Sequence, residues 1–297
     1  MLVGLSAVAL TSGAALGPAA WADVGLPATR PWTPRDGEVE PAVKARATAL
    51  LEAVGSWSGS AGDMAHARRR ASAAGYSSAL VDGLADLLGP GEAAVLQVRD
   101  AQYGGILSSS SSVLVVVDQW TRDQTGIVRA GGSTFDVRLV RSSPHWKVVE
   151  VNPARPGPVA AQLSRAARSV LADSRLRLPF AATADVRAGN IHDSVLALLT
   201  SMAADHVVDV SVLRSGHPLH VFGTARLSDH PRGRAVDIWA LDGRPLVVPG
   251  NHPLAVAGMK FGVAHGAYNV GGPVQLNGRQ YFSDRTHQDH IHLGFSG

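Results

Sequence analysis

SDHPRGRAVDIW, residues 228–239, decides how the second half of the chain is read. His230 lies in a turn rich in Pro and Gly. Seven residues on, Asp237 stands between Val236 and Ile238, inside an apolar run from Ala235 to Leu241 that predicts a strand. Burying a carboxylate costs several kcal/mol unless it is paired or bound to a metal. Asp237 therefore pairs with a neighbour such as Arg234, faces solvent on one side of a sheet, or holds a cation.

A second stretch, HQDHIHLGF at 287–295, supplies the partners that a cation needs. Nine of the 12 histidines lie at or beyond position 206. Two imidazoles, one carboxylate and an open water position are the usual arrangement of catalytic zinc. His230 and Asp237 offer two ligands, and His292, on a final strand, the third. Strand side chains alternate, so His290 shares a face with His292 and is placed to touch water or substrate. His287 reads as a rim residue, and His217 and His220 as loop histidines near a sheet edge or as cleft lining.

Outward from these motifs the chain divides in two, with an α+β pattern. In the second half, a helix at 191–205, strands at 207–213 and 234–241, a helix at 252–264 and closing strands predict an antiparallel sheet. A helix at 159–172 precedes them, and the stretch from there through Gly189 reads as irregular. In the first half, 41–54, 63–74 and 78–88 have helical apolar spacing. EAAVLQVRDAQY, SVLVVVDQWTR and TFDVRLVRSSPHWKVVEVN then read as strands, with Ser108–Ser112 as a hairpin loop. The organisation expected is a signal peptide or anchor at 1–22, a Pro-rich linker at 23–37, a helix-plus-curved-sheet domain at 38–153, a linker and helix at 154–169, and a second domain at 170–297.

Composition narrows the function classes. The chain has 297 residues and no cysteine, which excludes disulfides, a Cys-ligated zinc and a Cys nucleophile. The formal net charge is +3, and no basic stripe is interleaved with aromatics, so no nucleic-acid partner is expected. The apolar run Leu2–Leu16 followed by Ala20-Trp21-Ala22 has the pattern of a secretory signal without its positive n-region. That implies a secreted or envelope-associated protein, with membrane anchoring only if the segment stays uncleaved.

Ser228-x-His230-x-x-Gly233-x-Ala235-Val236-Asp237, followed by Asp289-His290-Ile291-His292, resembles the M15 family of zinc peptidases, of the hedgehog/D-Ala-D-Ala peptidase fold. The resemblance implies one Zn2+ ion held by His230, Asp237 and His292, with Asp289 as general base and His290 assisting. It also implies a peptidoglycan stem peptide as substrate, cut as by a D,D-carboxypeptidase or an endopeptidase. A regular strand would point Asp289 and His292 to opposite faces, so either Asp289 sits at the strand's entry or on a bend, or His290 is the base. Ser215-Gly216-His217-Pro218 stands where that family commonly has a Ser-Gly-Tyr-Arg-like segment, leaving Arg214 and Arg226 as nearby cations. Hedgehog signalling domains keep the same ligands without evident peptidase work, so the alternative is a non-catalytic, zinc-stabilised module that binds cell wall or protein. The first half, about residues 38–153, is similar in its pattern to the cone-shaped domain of the nuclear transport factor 2-like superfamily.

Overall fold

The computed structural model describes residues 25–143 and 145–296. The expected signal peptide or anchor at 1–22 lies outside the described residues.

Two helices open the first half. Helix α1 (Pro41–Gly55) starts with proline, whose missing N–H is no loss at a first helical position. Its apolar residues Val43, Ala47, Leu50, Leu51 and Val54 recur at helical spacing, and all are buried. Helix α2 (Met64–Ala73) is capped by Asp63, which accepts from the N–H groups of Ala65 at 2.8 Å and His66 at 3.0 Å. The third predicted helix is instead a 3-10 run, Ser78–Leu87, whose Leu80, Val81, Leu84 and Leu87 are buried. Apolar spacing of three to four residues serves either winding, so sequence periodicity does not separate them.

Strands β1 (Ala93–Ile106), β2 (Ser110–Arg122), β3 (Val128–Ser142) and β4 (His145–Pro153) form an antiparallel sheet in sequential order. The loop before β2 is shorter than expected, since Ser111 and Ser112 already pair with β1 and β3. The helices and the sheet share one hydrophobic core that includes Leu50, Tyr103, Phe135 and Leu139. Residues 25–37, expected as an extended linker, are irregular and pinned to the neighbouring structure. Arg30 and Gln97 exchange backbone-to-amide hydrogen bonds, and Arg35 meets Asp100 at 2.7 Å.

Register shifts at Val98/Asp100 and Tyr103/Gly105 interrupt β1. From Asp100 to Ile106 every residue of that strand is buried. One side packs on the helices and the other meets the second half of the chain. Gly105 marks the closeness of that meeting, because a Cβ there would lie 2.1 Å from Phe222 Cβ.

The second half begins its regular structure later than the sequence suggests. Ser164 caps helix α3 (Arg165–Ala172) by accepting from Ala167 N at 3.1 Å, so the Pro/Gly segment ahead of it stays irregular. A short strand β5 (Leu176–Arg177) and helix α4 (Phe180–Arg187) occupy the stretch expected to be irregular. Helix α5 (Asp193–Met202), β6 (Val208–Val212), β7 (Ala235–Leu241), β8 (Arg244–Pro245), helix α6 (His252–Ala264), β9 (Asn269–Gly271), β10 (Tyr281–Phe282) and β11 (Ile291–Gly294) follow. The sheet runs β10-β9-β11-β7-β6-β5, with β8 on β7. Its centre is antiparallel, as expected, but the short outer pairs β5/β6 and β9/β10 are parallel. A second hydrophobic core, including Leu196, Leu199, Ile238, Met259 and Leu293, belongs to this half. Among the described residues the chain is thus a mixed α+β protein with two large hydrophobic cores and a small cluster of Leu26, Ala93 and Val95.

Candidate metal centre

Pairing of β7 with β11 builds the centre. Asp237 lies directly opposite His292 in the register, and opposed residues of an antiparallel pair project from the same face. His230 arrives from the 3-10 turn His230–Arg232, which Gly233 ends with a left-handed φ of 69°. A side chain at that position would be strained and would also put its Cβ 1.9 Å from Asn190 O, so the turn requires glycine. Ser228 Oγ accepts from His230 N at 3.4 Å and supports the turn's entry.

The three motif residues converge. His230 Nε2 lies 3.1 Å from Asp237 Oδ1, His292 Nδ1 lies 2.9 Å from the same oxygen, and the two nitrogens are 3.1 Å apart. Ligands around a tetrahedral ion with bonds of about 2.0 Å stand about 3.3 Å apart, so this triangle fits a small divalent cation. Proton placement supports the same reading. His230 Nδ1 is 2.7 Å from Leu213 O, and a carbonyl can only accept, so that nitrogen carries the proton. When the ring is neutral, Nε2 presents a lone pair to a carboxylate oxygen. Two lone pairs at that distance repel unless a proton or a cation lies between them.

His217 joins the group, and sequence reasoning gave it no ligand role. Its ring stacks on that of His230 with centroids 4.0 Å apart, and its Nδ1 is held 2.9 Å from Pro218 O. His217, His230 and Asp237 each offer a ligand atom, all within 4.8 Å of one another, and could hold a metal ion. The loop carrying His217 is fixed by buried Asp185, which accepts from Ser215 N at 2.7 Å, from Arg214 N at 3.1 Å and from the Ser215 hydroxyl.

Asp289 and His290 precede β11. The 3-10 turn Thr286–Gln288 leads into Asp289, whose φ of −107° and ψ of −4° place it on a bend rather than in the strand. Both oxygens of the carboxylate are engaged. Oδ2 meets Lys44 Nζ at 2.6 Å and accepts from Tyr103 N at 2.9 Å, while Oδ1 lies 2.5 Å from His290 Nδ1. His290 Nε2 is turned to the other side, 3.7 Å from Asp237 Oδ1.

Burial is the largest single influence on these groups, but at Asp237, Asp289 and His290 the neighbouring charges and hydrogen bonds together outweigh it. It would push the Asp237 carboxyl up, but His230 and His290 hold it well below the usual carboxylate range. It would likewise raise Asp289, which Lys44 and His290 hold down at about 2. Burial opposes charging of His290, yet Asp237 and Asp289 outweigh it and lift the imidazole to about 9. His292 falls to about 4 because burial outweighs the pull of Asp237. His217 lies well below its ordinary value through burial and the neighbouring His230.

The centre opens into a cleft of about 630 Å³, lined by Tyr103, Gly104, Ile106 and Leu107 of β1 and its loop, and by Phe222, Tyr268, Phe282 and His287. His287 is held by Asp284 at 2.7 Å and stands edge-on to Phe282, at the cleft's wall. Of the two nearby cations, Arg226 lines this cleft, and its guanidinium makes no hydrogen bond or ion pair among the described residues. Arg214 turns instead towards Pro231 O at 3.2 Å and lines a separate, smaller pocket. His220 pairs with Leu227 in an isolated bridge and does not line the cleft.

Comparison with protein-family models, with curated proteins and with solved structures finds no match to this chain.

Proposed function

We propose that the chain is a zinc-dependent peptidase that hydrolyses a peptide bond in peptidoglycan stem peptides, secreted or held at the cell envelope. One observation carries the reading. His290 aims Nε2 at a His–Asp–His donor set, while Asp289 holds its Nδ1 from behind. The peptide substrate class rests on the motif resemblance.

His230, Asp237 and His292 would hold the zinc, an ion that polarises a carbonyl and makes water acidic enough to act as a nucleophile near neutral pH. A cation on Asp237 would cancel the main charge that raises His290, and the neutral imidazole's Nε2 would then take the proton from water as its oxygen attacks the scissile carbonyl carbon. Asp289 stabilises the imidazolium that results. His290 then returns the proton to the leaving amine nitrogen as the C–N bond breaks, a role typically worth about 10²–10⁴-fold in rate. Asp289, the base in the resemblance, orients His290 in this reading, because neither of its oxygens is free. Arg226 meets a carboxylate of the substrate at the cleft's rim, and the partly exposed Leu107, Leu227 and Tyr268 meet its apolar groups.

A second reading is the zinc-stabilised, non-catalytic module, and His217 is the observation that favours it. With His217 as a fourth protein ligand the ion would be closed to water, as in structural sites. Metal analysis paired with digestion of purified muropeptides, the cut bond identified by mass spectrometry, separates the two. Zinc with cleavage supports the peptidase, and zinc without cleavage of any fragment supports the module.

A further inference from the structure

We propose that the helix-plus-sheet half is a working part of the metal centre, and that its Gln102 is the positioning residue that presents Asp237 Oδ1 to the cation. The inference rests on the reading of His230, Asp237 and His292 as metal ligands.

Gln102 lies on β1, in the segment where the register shift turns the strand's second side towards the other half. It is wholly buried but is not part of the first half's hydrophobic core. A buried amide needs partners for both of its ends, and both come from the opposite half. Nε2 donates to Asp237 Oδ2 at 2.6 Å, and Oε1 accepts from the Ser211 hydroxyl. The amide's orientation is fixed by chemistry, since a carboxylate oxygen only accepts and must face the NH2 end. Ser211 Oγ also lies 3.2 Å from Asp237 O, a second acceptor within reach of its one hydroxyl proton.

The consequence for Asp237 is directional. Oδ2 is occupied by Gln102, and Oδ1 alone faces His230 and His292. A carboxylate so pinned cannot rotate to offer both oxygens or to swing out of the triangle. The same strand holds the other carboxylate of the site through the N–H of Tyr103, and Lys44 of α1 closes on it. Groups behind a ligand that fix its orientation typically change metal affinity by about 10–100-fold when removed.

The test is zinc affinity of the full chain, measured by competition with a chromogenic chelator. Gln102→Leu keeps the volume and removes the donor. The expected result is zinc binding about 10–100-fold weaker than wild type in a folded protein. Val117→Ala, in the core of the same half, is the control for general loosening and is expected to bind as wild type does. A folded Gln102→Leu chain with wild-type affinity overturns the proposal, and so does an equal loss in Val117→Ala. If Gln102→Leu does not fold, Ser211→Ala, which releases the amide's far end, decides on the same criterion. Failure of the underlying reading looks different: wild type binds no zinc, or His230→Ala binds it as tightly as wild type.

Discussion

Lys44 and Asp289 meet at 2.6 Å with their side chains almost wholly buried, one from the first helix and the other from the bend before the last strand. Lys44 also contacts Glu38 and sits 5.0 Å from the centroid of the Tyr103 ring. Removing one member of a buried ion pair leaves the other uncompensated and costs about 3–5 kcal/mol. Lys44→Met is expected to lose that much in denaturant unfolding, and adding Asp289→Asn to recover part of it. A Lys44→Met chain as stable as wild type would show the contact to be energetically idle.

Hydrolysis should depend on His290 without metal loading doing so. His290→Ala is expected to retain zinc while losing about 10²–10⁴-fold in kcat. Asp289→Ala should also retain zinc and lose hydrolysis, because the imidazole is left unoriented. His230→Ala should lose both metal and activity. Full activity of His290→Ala on peptidoglycan fragments would remove the proton-transfer assignment.

Glu38 gives the stability a pH dependence whose sign can be worked out. Burial, opposed by Lys44 and aided by Asp289, raises its carboxyl from 4.5 to about 7. A raised folded value means that the contribution is fully present below about pH 4.5 and is lost as pH rises through about 7. Glu38 therefore favours a higher Tm at pH 5 than at pH 8, while His217 and His292, held below their ordinary value, favour the reverse. Glu38→Gln should raise the Tm at pH 8 relative to that at pH 5, compared with wild type, and an unchanged difference in the variant would assign no pH dependence to Glu38.

Arg226 should act on binding rather than on chemistry. Arg226→Gln is expected to raise KM about tenfold with kcat nearly unchanged, the pattern of lost uniform binding. The effect should vanish for a substrate whose terminal carboxylate is amidated. Equal losses with both substrates would mean that Arg226 shapes the cleft and does not hold a carboxylate.

Gly233→Ala combines a left-handed φ with a Cβ pushed into Asn190 O. The expected result is a clear fall in Tm together with weaker zinc binding, since this turn carries His230. Calorimetry with and without zinc checks both.

What the sequence made legible was local. The two histidine motifs come together because β7 and β11 pair in register, and period and composition sufficed to place both strands. Helix α4 escaped because its small and polar residues, Ala181 to Ala184, give little amphipathic contrast. His217 looked like a loop residue because its role arises from stacking on His230, a contact that no spacing announces. Gln102 and Lys44 were beyond reach for a stronger reason. Gln102 is 135 residues from Asp237, and in a strand or helix pattern each looks like an ordinary polar interruption. The burial of 100–106 on both sides likewise depends on which surface the second half covers.

The contact that Lys44 makes with Asp289 also sets an order of events. Contacts between residues so distant in sequence are slow to form, because a long loop must close before anything rewards the closure. The proposed centre would draw Lys44 and Gln102 from early in the chain and Asp289, His290 and His292 from its last strand region. Each half can gather its own core through nearer contacts, but the pinned carboxylates exist only after the two have docked. Competence to bind metal and move a proton should accordingly appear in the final phase of refolding, after the bulk of the secondary structure has returned.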